Sequence, residues 1–565
     1  MLSYKLTGIW NRLYPGCSAG DLEEFIRELE PLQKRLPAEP LKEGWYKDAV
    51  VYSLYVDLFN NDFPGLNGKL DYLQDLGINC IWLLPVLDSP MKDAGFDIRN
   101  YRLIRKDLTG LDNSASDEEH LAVFSSFLAE AHARGIRVIF DIAVNHTSVE
   151  HYWFQESRKS PDNPYRDYYI WNKDDKRYSD CRLLFKGMCP GNWEKDGDRY
   201  FFHRFFEHQP DLNYRNPAVL LEMCRNMIFW LQLGVDGFRA DAIPYLWKEE
   251  GTDCENLPET HIVVKFFRAV LDFVRPNTLL LAEACQPPFE VVKYLSSEDE
   301  CNAGYHFPLM PQIFKAIGKR SRLPVKHTLS NEVTPSIPSS SQWFTFLRCH
   351  DELSLELVYV SEEDRKYIHS TYCYDPKWDF REGEGISARL SELMERNPDM
   401  ITLAFSIMLT LPGTPVIYYG DEFGKLNDKQ YYHKKIKETG HDDTRFLVRG
   451  HVDWKQLEKD LNNPESLSFR VFERLKMMIK TRNMHRCFGR GELEWLDTED
   501  GIMAFTRSYY NEKLLIIHNM TKEQKDISLY IQGTDFYDLL SDAKFHGKNT
   551  ACPVPAFGFY WLEEI

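Results

Sequence analysis

Several features that would point to other classes of protein are missing from this 565-residue sequence. No stretch of about 18 uncharged apolar residues occurs, as a membrane-spanning helix would require. The opening residues, MLSYKLTGIWNRLYPG, lack the apolar run of an export signal. The 12 cysteines show neither CxxC pairs nor zinc-like spacing with histidine, which favours free thiols in a reducing compartment. We therefore expect a cytoplasmic protein that contacts no membrane and needs no cofactor.

Basic residues are in the minority: 68 Lys and Arg stand against 86 Asp and Glu, a formal net charge of −18. Nucleic-acid affinity is built on clustered Lys and Arg, so this balance argues against a phosphate backbone as partner and favours an uncharged ligand. The hydrophobic fraction of 43% and the charged fraction of 27% are typical of a globular protein. At this length we expect two or three domains, and homo-oligomerisation stays open.

Strand-like and helix-like patterns alternate from Ala49 onward. Short apolar runs are separated by longer amphipathic stretches, and the runs are AVVYSLYV, INCIWLLPV, IRVIFDIAVN, VDGFRA, TLLLAEA, WFTFLR and PVIYY. Such alternation predicts an α/β fold with a parallel sheet. Polar residues close many of these runs, which indicates a (β/α)8 TIM barrel because its active site is assembled at the carboxyl ends of the strands.

Three segments flank or interrupt the predicted barrel. Residues 1–44 form an N-terminal extension with helical periodicity from Asp21 to Leu36, expected to pack against the outside of the next domain. The stretch 146–209 is far longer than an ordinary loop and predicts an inserted small domain, domain B. Residues 486–565 show short strands with turns, which predicts a C-terminal β-sandwich. The barrel itself is assigned to residues 45–145 and 210–485.

Three carboxylates, Asp241, Glu283 and Asp351, follow predicted barrel strands. Retaining cleavage of a glycosidic bond needs a carboxylate nucleophile and a nearby carboxylic acid. Asp241 lies two residues after Arg239, so both side chains share one face of an extended strand, and the guanidinium would keep the carboxylate ionised. Glu283 follows apolar residues, an environment that raises a carboxyl pKa toward that of a general acid. Each carboxylate alone would equally suit an ion pair at the barrel rim.

The order of these residues resembles four signature regions of the α-amylase superfamily, glycoside hydrolase family 13. The regions here are DIAVNH, GFRADA, LLAEA and FLRCHDE, starting at Asp141, Gly237, Leu280 and Phe346. The resemblance covers Trp45 to Ile565 and implies the family's TIM barrel, with an inserted domain after strand 3 and a C-terminal sandwich. It implies Asp241 as nucleophile, Glu283 as acid/base and Asp351 as transition-state stabiliser. It implies sugar binding by His146, Arg239 and His350.

Longer segments narrow the resemblance. QPDLN, residues 209–213, resembles the signature of the oligo-1,6-glucosidase branch, and GTDCENLPETH, YHFPLMPQ, QWFTFLRCHDELSLELV and LPGTPVIYYGDE are similar to trehalose synthases. In AGFDIRNY, Phe96 replaces the family's stacking tyrosine, and Asp97 resembles the residue that grips the glucose 4-hydroxyl together with a late-barrel arginine. Arg445 is the candidate for that arginine. Arg449 is a rival, because DDTRFLVRGHVDW resembles amylosucrase more than the VRTPMQW-like segment of trehalose synthases.

Two further departures concern the acceptor side and calcium. Cys349 stands where trehalose synthases carry Asn, either as a small buried thiol or as a change in the aglycone side. FNNDFPGLNG lacks most carboxylates of the family's first calcium loop. A second calcium site would draw on Asn145, Asp211 and the carbonyls of Tyr245 and Leu246. Its expected acidic ligand is replaced by Lys248, whose ammonium would repel a divalent cation, so no metal is predicted.

The predicted function is the processing of a small α-glucoside (maltose, trehalose or a short maltooligosaccharide) through a covalent glucosyl–Asp241 intermediate. The group that attacks this intermediate sets the product. Released glucose gives isomerisation of maltose and trehalose, which the trehalose synthase resemblance favours; water gives an α-glucosidase or α-amylase-type hydrolase; a glucan end gives an amylosucrase-like transglucosidase. A non-catalytic barrel scaffold, as in the heavy chains of amino-acid transporters, is disfavoured because all three carboxylates and Arg239 are intact.

Overall fold

Eight parallel strands close into a barrel in the computed structural model, which describes residues 2–33, 40–185, 188–531, 533–547 and 551–565. The strands neighbour one another in chain order, and the last pairs with the first. They are β1 Val51–Leu54, β2 Cys80–Leu83, β3 Arg137–Ala143, β4 Gly237–Asp241, β5 Leu279–Ala282, β6 Ala303–Tyr305, β7 Gln342–Phe346 and β8 Thr414–Tyr418. The predicted TIM barrel is confirmed.

The barrel strands are buried along almost their whole length, which is why they read as continuous apolar runs in the sequence. Each of the seven predicted runs contains a strand. The eighth strand, β6, was missed because it has only three residues, Ala-Gly-Tyr, and no β-branched side chain. Its central Gly304 is needed for packing, since a Cβ there would lie 2.9 Å from the side chain of Val291.

Helices form the outer layer of the barrel. They are Val56–Asn60, Phe63–Asn67, Leu70–Leu76, Asp117–Ala133, Pro217–Leu233, Pro258–Val274, Pro288–Val291, Leu309–Lys319, Leu323–Thr328, Glu362–Tyr372, Leu390–Leu393, Pro398–Thr410, Lys429–Thr439, Trp454–Leu461, Leu467–Met484 and Cys487–Arg490. Among the described residues, no helix combines the length and apolar character needed to cross a membrane.

Two helices precede the barrel. Leu2–Leu13 was not predicted, and Gly20–Gln33 covers most of the predicted helix, whose expected end at Leu36 lies outside the described residues. Both pack on the barrel helix Pro258–Val274, where the ring centroids of Trp10 and Phe25 lie 6.4 and 6.3 Å from that of Phe266. Both helices thus lie on the outside of the barrel.

The segment after β3 forms a small layer of its own. It contains the helix Tyr152–Ser157 and a three-stranded antiparallel sheet of Trp171–Asn172, Arg199–Phe202 and Trp193–Asp196, with Arg199–Phe202 in the centre. Two further small sheets lie in loops that follow barrel strands. One pairs Leu87–Asp88 with Asn100–Ile104, and the other joins Leu353–Ser354, Gly385–Ile386 and Asp379–Phe380.

The C-terminal part, for which the sequence predicts a β-sandwich, contains an antiparallel sheet. Its six-stranded sheet runs in the order Glu492–Trp495, Ile502–Tyr509, Glu512–Asn519, Phe559–Glu564, Phe536–Asp538 and Lys544–Phe545. A two-stranded ribbon, Lys525–Asp526 with Pro553–Val554, contributes to a separate apolar core beside that sheet. The domain is attached to the barrel at Ser406, whose hydroxyl accepts a hydrogen bond of 2.9 Å from Trp561 Nε1.

Candidate active site

One buried arginine lies among three carboxylates at the carboxyl end of the barrel. The register of β3 and β4 sets Asp141 opposite Arg239 and Ala143 opposite Asp241. The Arg239 guanidinium contacts Asp241 directly, lies 2.9 Å from Asp141 Oδ1 and reaches within 4.0 Å of Glu283 Oε1. The structure therefore brings the predicted nucleophile and the predicted acid/base to the same cation.

Glu283 follows β5 directly and is oriented by the backbone of the neighbouring strand. The amide of Ala242 donates a 2.9 Å hydrogen bond to Glu283 Oε2. Ala242 is left-handed, with φ of 59°, a conformation that costs energy without glycine and often marks a functional site. Burial raises the pKa of Glu283 to about 7, with Arg239 acting against it and Asp241 adding to it. This carboxyl can hold a proton at neutral pH, as a general acid must.

Asp351 is surrounded by cations and one imidazole. Arg445 Nη1 lies 3.2 Å and Arg449 Nη2 3.3 Å from Asp351 Oδ1, and His350 Nε2 lies 3.0 Å from Oδ2. Burial alone would raise the pKa of Asp351, but His350, Arg445 and Arg449 outweigh it and hold that pKa well below its usual range. Burial lowers the pKa of His350 to about 3, so the ring beside the carboxylate is neutral. Asp351 stays ionised throughout the neutral range.

The two rival arginines both belong to the site. Arg445 lines the cavity described below and is clamped by Asp443, with Nη2 2.7 Å from Asp443 Oδ2. Arg449 donates instead from Nε to the backbone oxygen of His350 at 3.0 Å. Arg445 therefore faces the cavity, while Arg449 holds the segment that carries Asp351.

The predicted sugar-binding residues Phe96 and His146 each contact other residues of the site. Phe96 stacks on His350, with ring centroids 5.4 Å apart and planes 23° from parallel, and lies 5.5 Å from the Arg239 guanidinium. His146 packs against Phe205, with centroids 4.9 Å apart, and its Nε2 lies 3.3 Å from Gln209 Nε2. Phe96 and His146 thus reach the neighbourhood in which they were expected.

Asp97 requires a correction. Its carboxylate is fully buried inside its own loop, where it accepts hydrogen bonds from Ser89 Oγ at 2.9 Å, the Lys92 amide at 3.0 Å and the Asp93 amide at 3.1 Å. All these bonds hold the loop, so the Asp97 carboxylate turns into its own loop. Asp93 in the same loop accepts a 3.0 Å hydrogen bond from Gln209 Nε2. Burial raises the pKa of Asp93, and Arg445 is the largest influence that lowers it.

A cavity of about 350 Å³ opens from Glu283 and Asp351 toward domain B. Its other lining residues are Trp82, Arg182, Leu183, Leu184, Phe185, Phe205, Arg239, Tyr245, Cys285, Tyr305, Phe307, Met310, Phe346, Cys349, His350, Glu352, Ser354, Glu356, Leu357, Val358, Arg381, Glu384, Val416 and Arg445. Ligand sites typically measure about 300–1,000 Å³, so this space suits a small ligand. Burial raises the pKa of the Cys349 thiol to about 12, which makes it a neutral wall group.

The residues of the possible second calcium site do not fit a metal. Lys248 is 3% exposed, and its Nζ lies 2.8 Å from Asn145 Oδ1 and 2.7 Å from Asp211 Oδ2. The ammonium thus occupies the space between the oxygens that would hold calcium, and Lys248 joins the end of β3, the return from domain B and the segment after β4. Burial lowers the pKa of Lys248, while Asp211 acts in the opposite direction.

Sequence reasoning missed Asp93 and the Gln209 side chain. Gln209 stands in the quoted QPDLN segment, and its contact with Asp93 and His146 gives that segment a place in the site. Asp93 lies four residues before Asp97 in DAGFD, so either aspartate could have turned toward the sugar. The hydrogen bonds of the loop, which composition does not reveal, decide between them.

Known proteins resemble this chain in sequence and in fold. Residues 43–372 match the sequence family "Alpha amylase, catalytic domain", and residues 502–549 match "Alpha-amylase SusG C-terminal domain". Trehalose synthase/amylase TreS of Mycobacterium tuberculosis is 38% identical, over 94% of this chain and 91% of that protein. Trehalose synthase of Pimelobacter sp. is 36% identical, over 92% and 95%. A crystal structure of a trehalulose synthase mutant in complex with Tris superposes with a TM-score of 0.71 at 23% identity, over 93% of this chain and all of that one, a likeness of fold.

Proposed function

This chain belongs to the α-amylase family, glycoside hydrolase family 13, as a trehalose synthase-like enzyme, and from that premise we propose that it interconverts maltose and trehalose. The observation that carries the proposal is the sharing of Arg239 by Asp241 and Glu283 beside a cavity that Arg239 and Glu283 line. Retaining chemistry needs an ionised and a protonated carboxyl close together. Arg239 and burial favour that pair of states here.

In the first step, Asp241 attacks the anomeric carbon of the bound α-glucoside. Its carboxylate contacts the Arg239 guanidinium directly. Glu283, whose pKa is about 7, donates its proton to the departing glycosidic oxygen. The bond from the anomeric carbon to that oxygen breaks, an ester to Asp241 forms, and glucose is released into the cavity. Asp351 is held ionised beside the ring and stabilises the positive charge that develops on the sugar.

In the second step, the anomeric hydroxyl of the released glucose attacks the glucosyl ester, and Glu283 takes its proton. The ester bond to Asp241 breaks and an α,α-1,1 linkage forms, so maltose becomes trehalose. Asp93 and Arg445 would hold the far side of the glucosyl unit, since a carboxylate and a guanidinium can share one sugar hydroxyl as acceptor and donor. Water attacking in place of glucose would give hydrolysis.

Incubation of the purified protein with maltose tests the proposal. Chromatography with standards should detect trehalose formed with little free glucose, and the reverse incubation from trehalose should yield maltose. Because the enzyme is a catalyst of a reversible step, both incubations should approach the same maltose to trehalose ratio. Glucose as the sole product of maltose would refute isomerisation and assign a hydrolase.

A further inference from the structure

Arg381 lies between two aromatic rings at the wall of the catalytic cavity. Its guanidinium carbon is 4.3 Å from the ring centroid of Phe185 and 4.7 Å from that of Phe380. Phe185 belongs to the inserted segment after β3, whereas Phe380 lies in the strand Asp379–Phe380 after β7. One side chain thus bridges the two segments that face each other over the site.

This side chain also separates two spaces. Arg381 and Glu384 line both the catalytic cavity and an adjoining outer cavity of about 470 Å³. The other lining residues of the outer cavity are mostly charged: Met188, Arg365, Asp379, Phe380, Glu382, Asp442, Asp443 and Thr444. A sugar leaving the catalytic cavity on this side would therefore have to displace Arg381 before it reached the outer cavity.

The backbone beneath Arg381 is held in an unusual form. Arg381 and Glu382 have φ of 47° and 54°, and Gly383 follows with φ of 91°. Two successive non-glycine residues in the left-handed region persist only where the surroundings hold them. Arg365 does so here, donating from Nε to the Gly383 oxygen at 2.9 Å and from Nη2 to the Glu382 oxygen at 2.7 Å. These two bonds fix the turn, and the Arg381 side chain extends from it to the wall of the catalytic cavity.

Besides its contacts with the two rings, the Arg381 guanidinium interacts electrostatically, at longer range, with Glu352 and Glu356. Within the described residues, no carboxylate lies within 4.0 Å of the Arg381 guanidinium, and its buried Nε has no hydrogen-bond partner. A fixed ion pair would resist opening, whereas stacking on aromatic faces is weaker and can be broken and reformed. The backbone of Arg381 is therefore fixed, whereas its side chain can change conformation.

We propose that Arg381 is a specificity-determining plug that retains the released glucose while the glucosyl ester on Asp241 exists. This inference rests on the proposed function. With the plug in place, the retained glucose is the nearest nucleophile and closes the 1,1 linkage. With the plug removed, glucose exchanges with the outer cavity, and water breaks the ester to give a second glucose. Arg381 touches neither reacting carboxylate, so it acts on the outcome of the second step and not on the first.

The test compares full-length Arg381→Ala and Arg381→Lys with the unchanged protein. Glu382→Ala is the matched control, since Glu382 is exposed, shares the strained turn and does not line the catalytic cavity. With maltose as substrate, Arg381→Ala should raise the ratio of glucose to trehalose about tenfold, the scale of losing a desolvated cation–π contact. Arg381→Lys keeps the charge without the flat face and should fall in between. Glu382→Ala should match the unchanged protein.

A second readout separates this inference from the proposed function. The ratio of kcat/KM for maltotetraose to that for maltose should rise in Arg381→Ala, because an open wall admits a longer aglycone. If the unchanged protein forms only glucose from maltose, the proposed isomerisation is wrong. The ratio of kcat/KM for maltotetraose to that for maltose then tests by itself whether Arg381 closes the cavity. An Arg381→Ala protein with the normal melting temperature and both ratios unchanged overturns the inference.

Discussion

Lys248 offers a quantitative test of how the site is braced. Replacing it by Met keeps most of the aliphatic stem and removes the ammonium from between Asn145 and Asp211. Asp211 is then a fully buried carboxylate without its cation, and breaking such a pair typically costs about 3–5 kcal/mol. For a protein of this size, that loss corresponds to a fall in Tm on the order of 5 °C. Thermal unfolding followed by circular dichroism measures it.

The control for this prediction is Lys366→Met. Lys366 also makes an ion pair, with Glu362 at 2.6 Å, but its side chain is 74% exposed. The Tm of the Lys366→Met protein should therefore equal that of the unchanged protein. Adding Asp211→Asn to Lys248→Met removes both charges and should cost less than the two single changes together. Equal Tm values for Lys248→Met and Lys366→Met would refute the prediction that the buried ion pair stabilises the protein. A rise in the Tm of the unchanged protein on adding calcium would contradict the view that Lys248 fills the metal position.

Three further predictions concern catalysis. Asp241→Asn should lower kcat on an activated glucoside by several orders of magnitude, and unchanged turnover would rule out Asp241 as the nucleophile. Log kcat/KM should fall as pH rises through about 7, because Glu283 then loses the proton that it donates; in Glu283→Gln this limb should vanish, and its persistence would assign the pH dependence elsewhere. Asp93→Asn should raise KM for maltose far more than Asp97→Asn does, since Arg445 acts on the Asp93 carboxylate whereas the Asp97 carboxylate bonds within its own loop; equal effects in steady-state kinetics would contradict the corrected assignment.

The parts of the site that the sequence predicts are those attached to regular elements. Asp241 ends one strand and Glu283 directly follows another, and both strands have clear apolar runs. Residues at the carboxyl end of a barrel strand lie on the face where the active site is assembled. The barrel and the family resemblance are confirmed for the same reason. Arg445 is the candidate and Arg449 the rival in the sequence because the two stand four positions apart, on and just after a short 3₁₀ turn, and each reaches Asp351 by its own route.

The parts that escaped prediction depend on tertiary contacts. β6 has too few residues to show a period, and its place follows from closure of the barrel between β5 and β7. Asp93 and Asp97 are alike in composition, and only the hydrogen bonds from Ser89 and the Lys92 amide turn Asp97 inward. Arg381 carries no motif at all, because its role depends on two rings that lie far from each other in the chain.

The crowding of three carboxylates around Arg239 has a consequence for where the catalytic proton comes from. A single positive charge cannot balance Asp141, Asp241 and Glu283 at once in a buried space, and burial raises the pKa of both Asp141 and Glu283 to about 7. Near neutral pH, Asp141 and Glu283 therefore bind a proton between them before any substrate arrives. The free enzyme enters each cycle already loaded with the hydrogen that the leaving sugar will carry away.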